Sequence, residues 1–339
     1  MPTTSNHNQR SKALLRLTAL WALNEAALGG LLHLFRSPFT GIFVGGSAVL
    51  LIALIAYWSE KPARDIPKAL LVVLIIKAVV SPHAPLPAYV AVSFQGMLGA
   101  LLFSTLPSFR LAAFLLGFLA LVEAALQKLL ITTLLFGMPL WESIDLFIDY
   151  ILRKMQLLGQ GSAAGSTWLI GLYVGVYALV GLAVGWVAGW LPKEAEKEAQ
   201  QTSLPATIEV LSDLPAKERK PAWKKPWAWS VVGLLLFMTS TYYLVPAAQS
   251  QWSPIWLIVR TFTIIGIWYF LLSPAVMWLV RRFLRKQAKS YEKEVQEAMD
   301  MLPAFRQLIK TAWKETRALQ GLARWRALLI RTIAYTLNY

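Results

Sequence analysis

Residues 41–80 read GIFVGGSAVLLIALIAYWSEKPARDIPKALLVVLIIKAVV. Two apolar runs flank a short charged turn, SEKPARDIPK. Each run is long enough to approach the thickness of a hydrocarbon core of about 30 Å at about 1.5 Å per helical residue. Lipid offers no partner to an unpaired backbone group, and nothing here alternates like a barrel strand, so the runs read as membrane helices. Lys77 lies inside the second run, where a charge costs at least about 2.5–3.5 kcal/mol.

The pattern repeats along the chain. Apolar windows predict eight spans, at about 13–35, 40–58, 66–81, 88–106, 110–135, 167–190, 228–246 and 254–280. Of 339 residues, 57% are hydrophobic and 15% charged, against about 25% charged in soluble domains. A secreted enzyme, a cytosolic α/β domain and a disordered chain are excluded. The chain has no Cys and three His (His7, His33 and His83, on separate segments), so thiolate chemistry is excluded and no metal site or cofactor is expected.

The net charge of +15 is read as topology and not as nucleic-acid binding. Lys and Arg concentrate on one side: Arg10, Lys12, Lys61, Arg64, Lys68, Arg110, the 193–225 cluster and the basic C-terminal segment, against Arg36, Arg153 and Lys154 opposite. Both ends are therefore expected in the cytoplasm. The polar residues 1–12 read as a cytoplasmic tail ahead of a permanent first span, not a signal peptide.

Charge and proline set the predicted domains. Residues 13–191 hold six spans. Residues 192–226, with prolines at 192, 205, 215, 221 and 226, read as a charged cytoplasmic linker. Residues 227–282 hold two more spans, entered through Trp227 and Trp229 at the membrane surface. Residues 283–339 carry an apolar stripe at 284, 288, 291, 295, 298, 302, 305, 308, 309, 312 and 313, with a break expected at Pro303 and a basic opposite face. Such a helix reads either as a surface element on anionic lipid or as a docking element for a partner. A further amphipathic segment, MPLWESIDLFIDYILRKMQLL (138–158), is predicted to lie on the outer surface or cap the bundle.

Ionisable residues within spans are functional candidates. The polar candidates are Asn24, Glu25 and His33 on span one, Lys77 on span three, Gln95 on span four, and Glu123, Gln127 and Lys128 on span five. Glu25 is expected near mid-depth, His33 near the outer surface, and Lys77, Gln95 and Lys128 in the outer half of the membrane. Together they predict an outward-facing pocket for a small solute. The alternatives are snorkelling lysines and structural ion pairs with Glu25 or Glu123. Small residues form two ridges: Ala22, Ala26 and Gly30 on span one, and Gly181, Gly185 and Gly189 on span six. The second is expected to pack the bundle internally, while the first fits either internal packing or another chain.

ALWALNEAALGGLLHLF and FQGMLGALLFSTLPS resemble the first and fourth helices of the substrate-binding S component of energy-coupling-factor (ECF) type ABC transporters, over about residues 11–191. RTFTIIGIWYFLLSPAVMWLVRRFL (260–284) and LPAFRQLIKTAWKETRALQGLARWRALL (302–329) are similar to parts of the T, or coupling, component. The resemblance implies an all-α polytopic protein with an S-component-like six-helix bundle, two further spans and a cytoplasmic amphipathic helical tail. It implies capture of a vitamin, cofactor precursor or metal ion, with Ala22 and Ala26 meeting a coupling subunit. Arg317, Ala318 and Gly321 then form a spread version of the motif that engages ABC ATPase subunits. There is no G-x-x-x-x-G-K-[ST], so the ATPases are expected on separate chains, and no hydrolase motif occurs. Other classes are a membrane scaffold recruiting cytoplasmic partners and a lipid-modifying transferase using Glu25 or Glu123 as base.

Overall fold

The computed structural model describes residues 3–28, 40–81, 84–156, 162–204, 226–244 and 253–339. All regular structure among them is helical, with no strand. In order the elements are α1 (Thr3–Leu23) with a π-helical turn (Asn24–Leu28), α2 (Thr40–Trp58), α3 (Pro62–Val80), α4 (Leu86–Thr105) and α5 (Phe109–Phe136). There follow α6 (Met138–Lys154), α7 (Gly165–Gln201), α8 (Pro226–Leu244), α9 (Pro254–Gly266), a π-helical stretch (Ile267–Leu272), α10 (Ser273–Ala288), α11 (Glu292–Glu315), a 3₁₀ turn (Thr316–Ala318) and α12 (Gly321–Asn338). Five helices among the described residues are long and apolar enough to cross a membrane: α2, α4, α5, α7 and the continuous rod from Ile258 to Ala288. The chain is a multi-span helical protein.

Two compact units share these helices, and both draw on sequence from either side of the charged stretch 192–226. The first comprises Met1–Ala124, Tyr177–Leu214 and Leu279–Tyr339. In it α1 packs against α2 and α3, and α4 packs against α2 and α3. Leu17, Trp21, Ile52, Ile55, Ile66 and Ile76 are fully buried. Between helices in lipid the hydrophobic effect contributes little, so close van der Waals packing must hold them together. The contact of α5 with α7 shows this. A Cβ at Gly117 would lie 2.5 Å from the Gly181 carbonyl oxygen, and one at Gly185 would lie 2.7 Å from that of Phe114. Only glycine allows backbones this near, and the Gly181–Gly185 ridge packs inside the unit as expected.

The C-terminal helices fold back onto this unit. α11 packs on α1 and α3, and α12 packs on α1 and α11. The predicted stripe is the buried face of α11, with Ala298, Leu302, Phe305, Leu308 and Ala312 all covered. Lys68 pairs with Glu294 at 2.8 Å, and the Arg16 guanidinium donates to the Leu337 carbonyl. Tyr335 donates to Glu315 at 2.6 Å.

The structure departs from the sequence reading at two prolines. α7 does not stop at Pro192 but runs through it to Gln201. A proline forfeits one helical hydrogen bond, and here side-chain contacts beyond it hold the helix. Tyr57 donates to Glu196 at 2.8 Å, Arg331 lies 3.8 Å from Glu198, and the Asn338 amide donates to the Ala199 carbonyl at 2.7 Å. α11 likewise passes Pro303 unbroken, because flanking Leu302 and Ala304 are buried. The stripe is broken instead at 289–291, between α10 and α11.

Burial, and then the hydrogen bond to Glu315, pushes the Tyr335 hydroxyl up to about 12 from an ordinary 10.0. A raised folded value holds the hydroxyl neutral. Its contribution is therefore full below pH 10 and fades as pH climbs towards 12. Over that range the Tm advantage of the wild type over Tyr335→Phe should shrink in detergent. A constant difference would show that the hydrogen bond contributes nothing.

The second unit comprises Ala125–Val176 and Pro215–Trp278. Gly137, at φ 76°, turns the chain between α5 and α6, a conformation that disfavours other residues. α6 packs its apolar face on α8: Leu140 is buried with Phe136, Leu235 and Met238, and Phe147 meets Phe237 edge-on at 5.4 Å. Its acidic face caps α7. Asp145 accepts from the Ser166 N–H (2.7 Å) and hydroxyl (2.8 Å), and Asp149 accepts from the Ala163 N–H at 2.7 Å. Carboxylates there complement the positive end of the helix dipole. Further along, the π-helical stretch ends just before Pro274, with the Ser273 N–H bonded to the Trp268 carbonyl. The wider turn accommodates a ring that an α-helical interior excludes.

Candidate functional site

α1 gives way to π geometry at Asn24–Leu28, an uncommon helical bulge that often accompanies functional positions. Two polar side chains open that turn. Asn24 accepts from the Ser47 hydroxyl at 2.7 Å through Oδ1, and its amide donates to the Val44 carbonyl at 3.4 Å, both on α2. Glu25 Oε2 accepts from Lys77 Nζ on α3 at 2.6 Å. The two charged side chains are 1% and 5% exposed, so the pair is sealed from its surroundings.

Around the pair sit further polar groups. Lys77 Nζ lies 5.9 Å from the centre of the Tyr89 ring on α4, within reach of a cation–π attraction. Ser81, past the end of α3, donates to the Ala26 carbonyl at 3.4 Å. Gln95 of α4 is buried with its amide nitrogen against Gly45, beside Val44. Three buried atoms at this site have no hydrogen-bond partner: Glu25 Oε1, the indole nitrogen of Trp21 four residues earlier on α1, and the Tyr89 hydroxyl oxygen. Each leaves bonding capacity next to a charge. Such a group is costly when buried, about 1–3 kcal/mol, and calls for a reason.

Of the predicted site residues, the fold thus brings together Asn24, Glu25 and Lys77, with Gln95 alongside. Glu123, in the first unit, is half-buried and its Oε2 makes no hydrogen bond. Gln127 and Lys128, half-buried and exposed, belong to the second unit. His33 and Gly30 lie outside the described residues. Ser47 and Ser81 escape the sequence reading, since a lone serine in an apolar run is unremarkable in a membrane helix. Arg260 escapes it too, although an arginine within 254–280 is visible as a charge. Its guanidinium lies against Gly137, beyond the last turn of α5, where a cation complements the helix dipole.

The predicted subunit contacts fall on two different surfaces. Ala22 and Ala26 are buried within this chain, at 0% and 7% exposure. Internal packing, one of the two expectations for that ridge, describes these two residues in the fold. Arg317, Ala318 and Gly321 are exposed on the turn joining α11 to α12.

A cleft of about 1060 Å³ opens at the other end of α1, with Leu14, Ile55 and Val72 on its apolar walls and Arg10, Lys68 and Glu294 among its charged groups. Arg10 pairs with Glu60 at 3.1 Å. The hydrogen bond from Lys68 holds the Glu294 carboxyl below the usual carboxylate range. No protein-family model, curated protein or solved structure matches the chain.

Proposed function

We propose that the chain is a membrane component of an ECF-like importer that captures a small solute through Glu25 and Lys77. The observation that carries this reading is the buried pair itself. Polar groups from α1, α2, α3 and α4 converge on a π-helical turn, with one carboxylate oxygen and one phenol unspent. A purely structural bridge is sufficient with its two partners and gains nothing from unsatisfied neighbours.

In this reading the solute carries an anionic or zwitterionic group. Lys77 exchanges Glu25 for the solute, and Tyr89, Asn24 and Gln95 supply ring and amide contacts. Opening the pair without a replacement charge is strongly unfavourable. Solute binding therefore distinguishes an open from a closed arrangement of α1 and α3, the difference in affinity that transport needs. α11 and α12 pack on α1, which supports reading the C-terminal part as a coupling element joined to the solute-binding part in one chain. The proposed topology is six spans followed by two, in the inner membrane of a prokaryote with both ends cytoplasmic. Vitamins and cofactor precursors are the substrate classes that fit this proposal, and ATP hydrolysis is left to separate subunits.

The test is purification from native membranes with mass spectrometry of whatever remains bound. The expected result is ABC ATPases in the complex and a small polar molecule released from the wild type but not from Glu25→Gln. A single chain carrying only lipid in both cases would end the importer reading.

A further inference from the structure

Helix α12 keeps a parallel register with the end of α7. The Asn338 amide donates to the Ala199 and Thr202 carbonyls at 2.7 and 2.6 Å. Arg331 lies 3.8 Å from Glu198, and Arg326 lies 3.7 Å from Glu194 with its guanidinium 5.1 Å from the centre of the Trp190 ring. Each step back along α12 is thus a step back along α7, towards the stretch 165–192 that contains no charged residue. One more turn, about 5.4 Å, brings Leu322 to the level of Trp186 and Trp190. Those rings meet edge-on at 6.4 Å, and Trp186 is 68% exposed. Amphipathic rings at the point where an apolar helix acquires charge mark a membrane interface.

The turn between α11 and α12 therefore reaches headgroup depth, and its composition fits that place. Leu322 is 88% exposed and Trp325 58%, with Leu319 and Trp313 also exposed. Leu322, Trp325 and Leu329 share one face over the first turns of α12, and all three are exposed. Arg317, Arg324 and Arg326 surround them, and residues 316–339 contain no Asp or Glu. Arg324 stacks over Trp313 at 4.3 Å, and Trp313 meets Trp325 at 5.8 Å.

We infer that this turn inserts into the leaflet nearest the chain termini, with Leu322 and Trp325 among the upper acyl chains and the three arginines on anionic phospholipid headgroups. Apolar wedges rimmed by guanidinium groups bind such surfaces by combining apolar burial with charge attraction. The turn is thereby an anchor fixing α11 and α12 against the membrane, independently of any solute. It also assigns Arg317, Ala318 and Gly321 to lipid and not to an ATPase.

The absence of Cys makes the test direct. Leu322→Cys in the full chain carries the only thiol for a nitroxide label, and an 88% exposed position tolerates it. Gln201→Cys, an exposed site farther along α7, is the aqueous reference. Both are reconstituted in nanodiscs of phosphatidylethanolamine and phosphatidylglycerol. Collisions with oxygen should exceed those with a water-soluble nickel chelate several-fold more at 322 than at 201. Replacing the lipid with phosphatidylcholine alone should reduce that excess. Equal nickel accessibility at the two sites would overturn the inference. So would a 322 label shielded from both reagents, as inside a protein contact, or an excess indifferent to lipid charge.

Discussion

Lys77→Met is expected to destabilise the folded protein by about 3–5 kcal/mol, because it leaves the Glu25 carboxylate buried without its cation. The ammonium at 2.6 Å is the only hydrogen-bond partner of Glu25 Oε2 to be lost, and 1% side-chain exposure gives water no access to replace it. Glu25→Met combined with Lys77→Met removes both charges and should recover most of that loss, since a buried pair is often no better than apolar residues of similar volume. Thermal unfolding in detergent reads both variants. Solute retention separates the two roles of the pair. If the pair serves binding, the double variant is stable but empty. A double variant that is stable and retains the same molecule would reduce Glu25 and Lys77 to a structural bridge. A single variant as stable as the wild type would mean that the carboxylate is neutral in the fold.

Gly185→Leu should be nearly as damaging for a different reason. The Phe114 carbonyl oxygen and Cα stand 2.7 and 2.8 Å from where a Cβ would go, and the Gly117 counterpart is equally tight. Backbone cannot move aside as a side-chain tip can, so α5 and α7 must separate along their contact. Overpacking costs typically about 1–3 kcal/mol, and this is its unfavourable extreme. Gly175→Leu, at a position with nothing within 4 Å of a Cβ, is the matched control and should leave Tm unchanged. Equal effects at 175 and 185 would show that the ridge acts through helix propensity and not contact.

These positions also show how far the sequence could be read. Gly181 and Gly185 declare their role because a four-residue repeat of glycine in a membrane helix has few other uses, and their partner surface follows. Lys77 declares that it is exceptional but not which carboxylate it meets. Glu25 and Glu123 were equivalent candidates, and the choice depends on a π-helical turn that no hydrophobic period encodes. Pro192 and Pro303 misled in the opposite direction. Each breaks a local rule, and each is overridden by contacts from residues more than a hundred positions away, as with Asn338 on Ala199 or Phe305 in the core beside α1. The apolar stripe of α11 is legible as a buried face. What buries it is not, because the complementary surfaces on α1 and α3 look like any other lipid-facing helix.

The clasp of α11 and α12 over α1 carries a consequence for biogenesis. α1 is completed by helices made after all the segments between, so its seam stays bare while those segments are threaded into the bilayer. Assembly of this unit must then be largely post-insertional, with the nascent amino-terminal hairpins held open, or shielded by an insertase, until Phe305 and Leu337 arrive to close them.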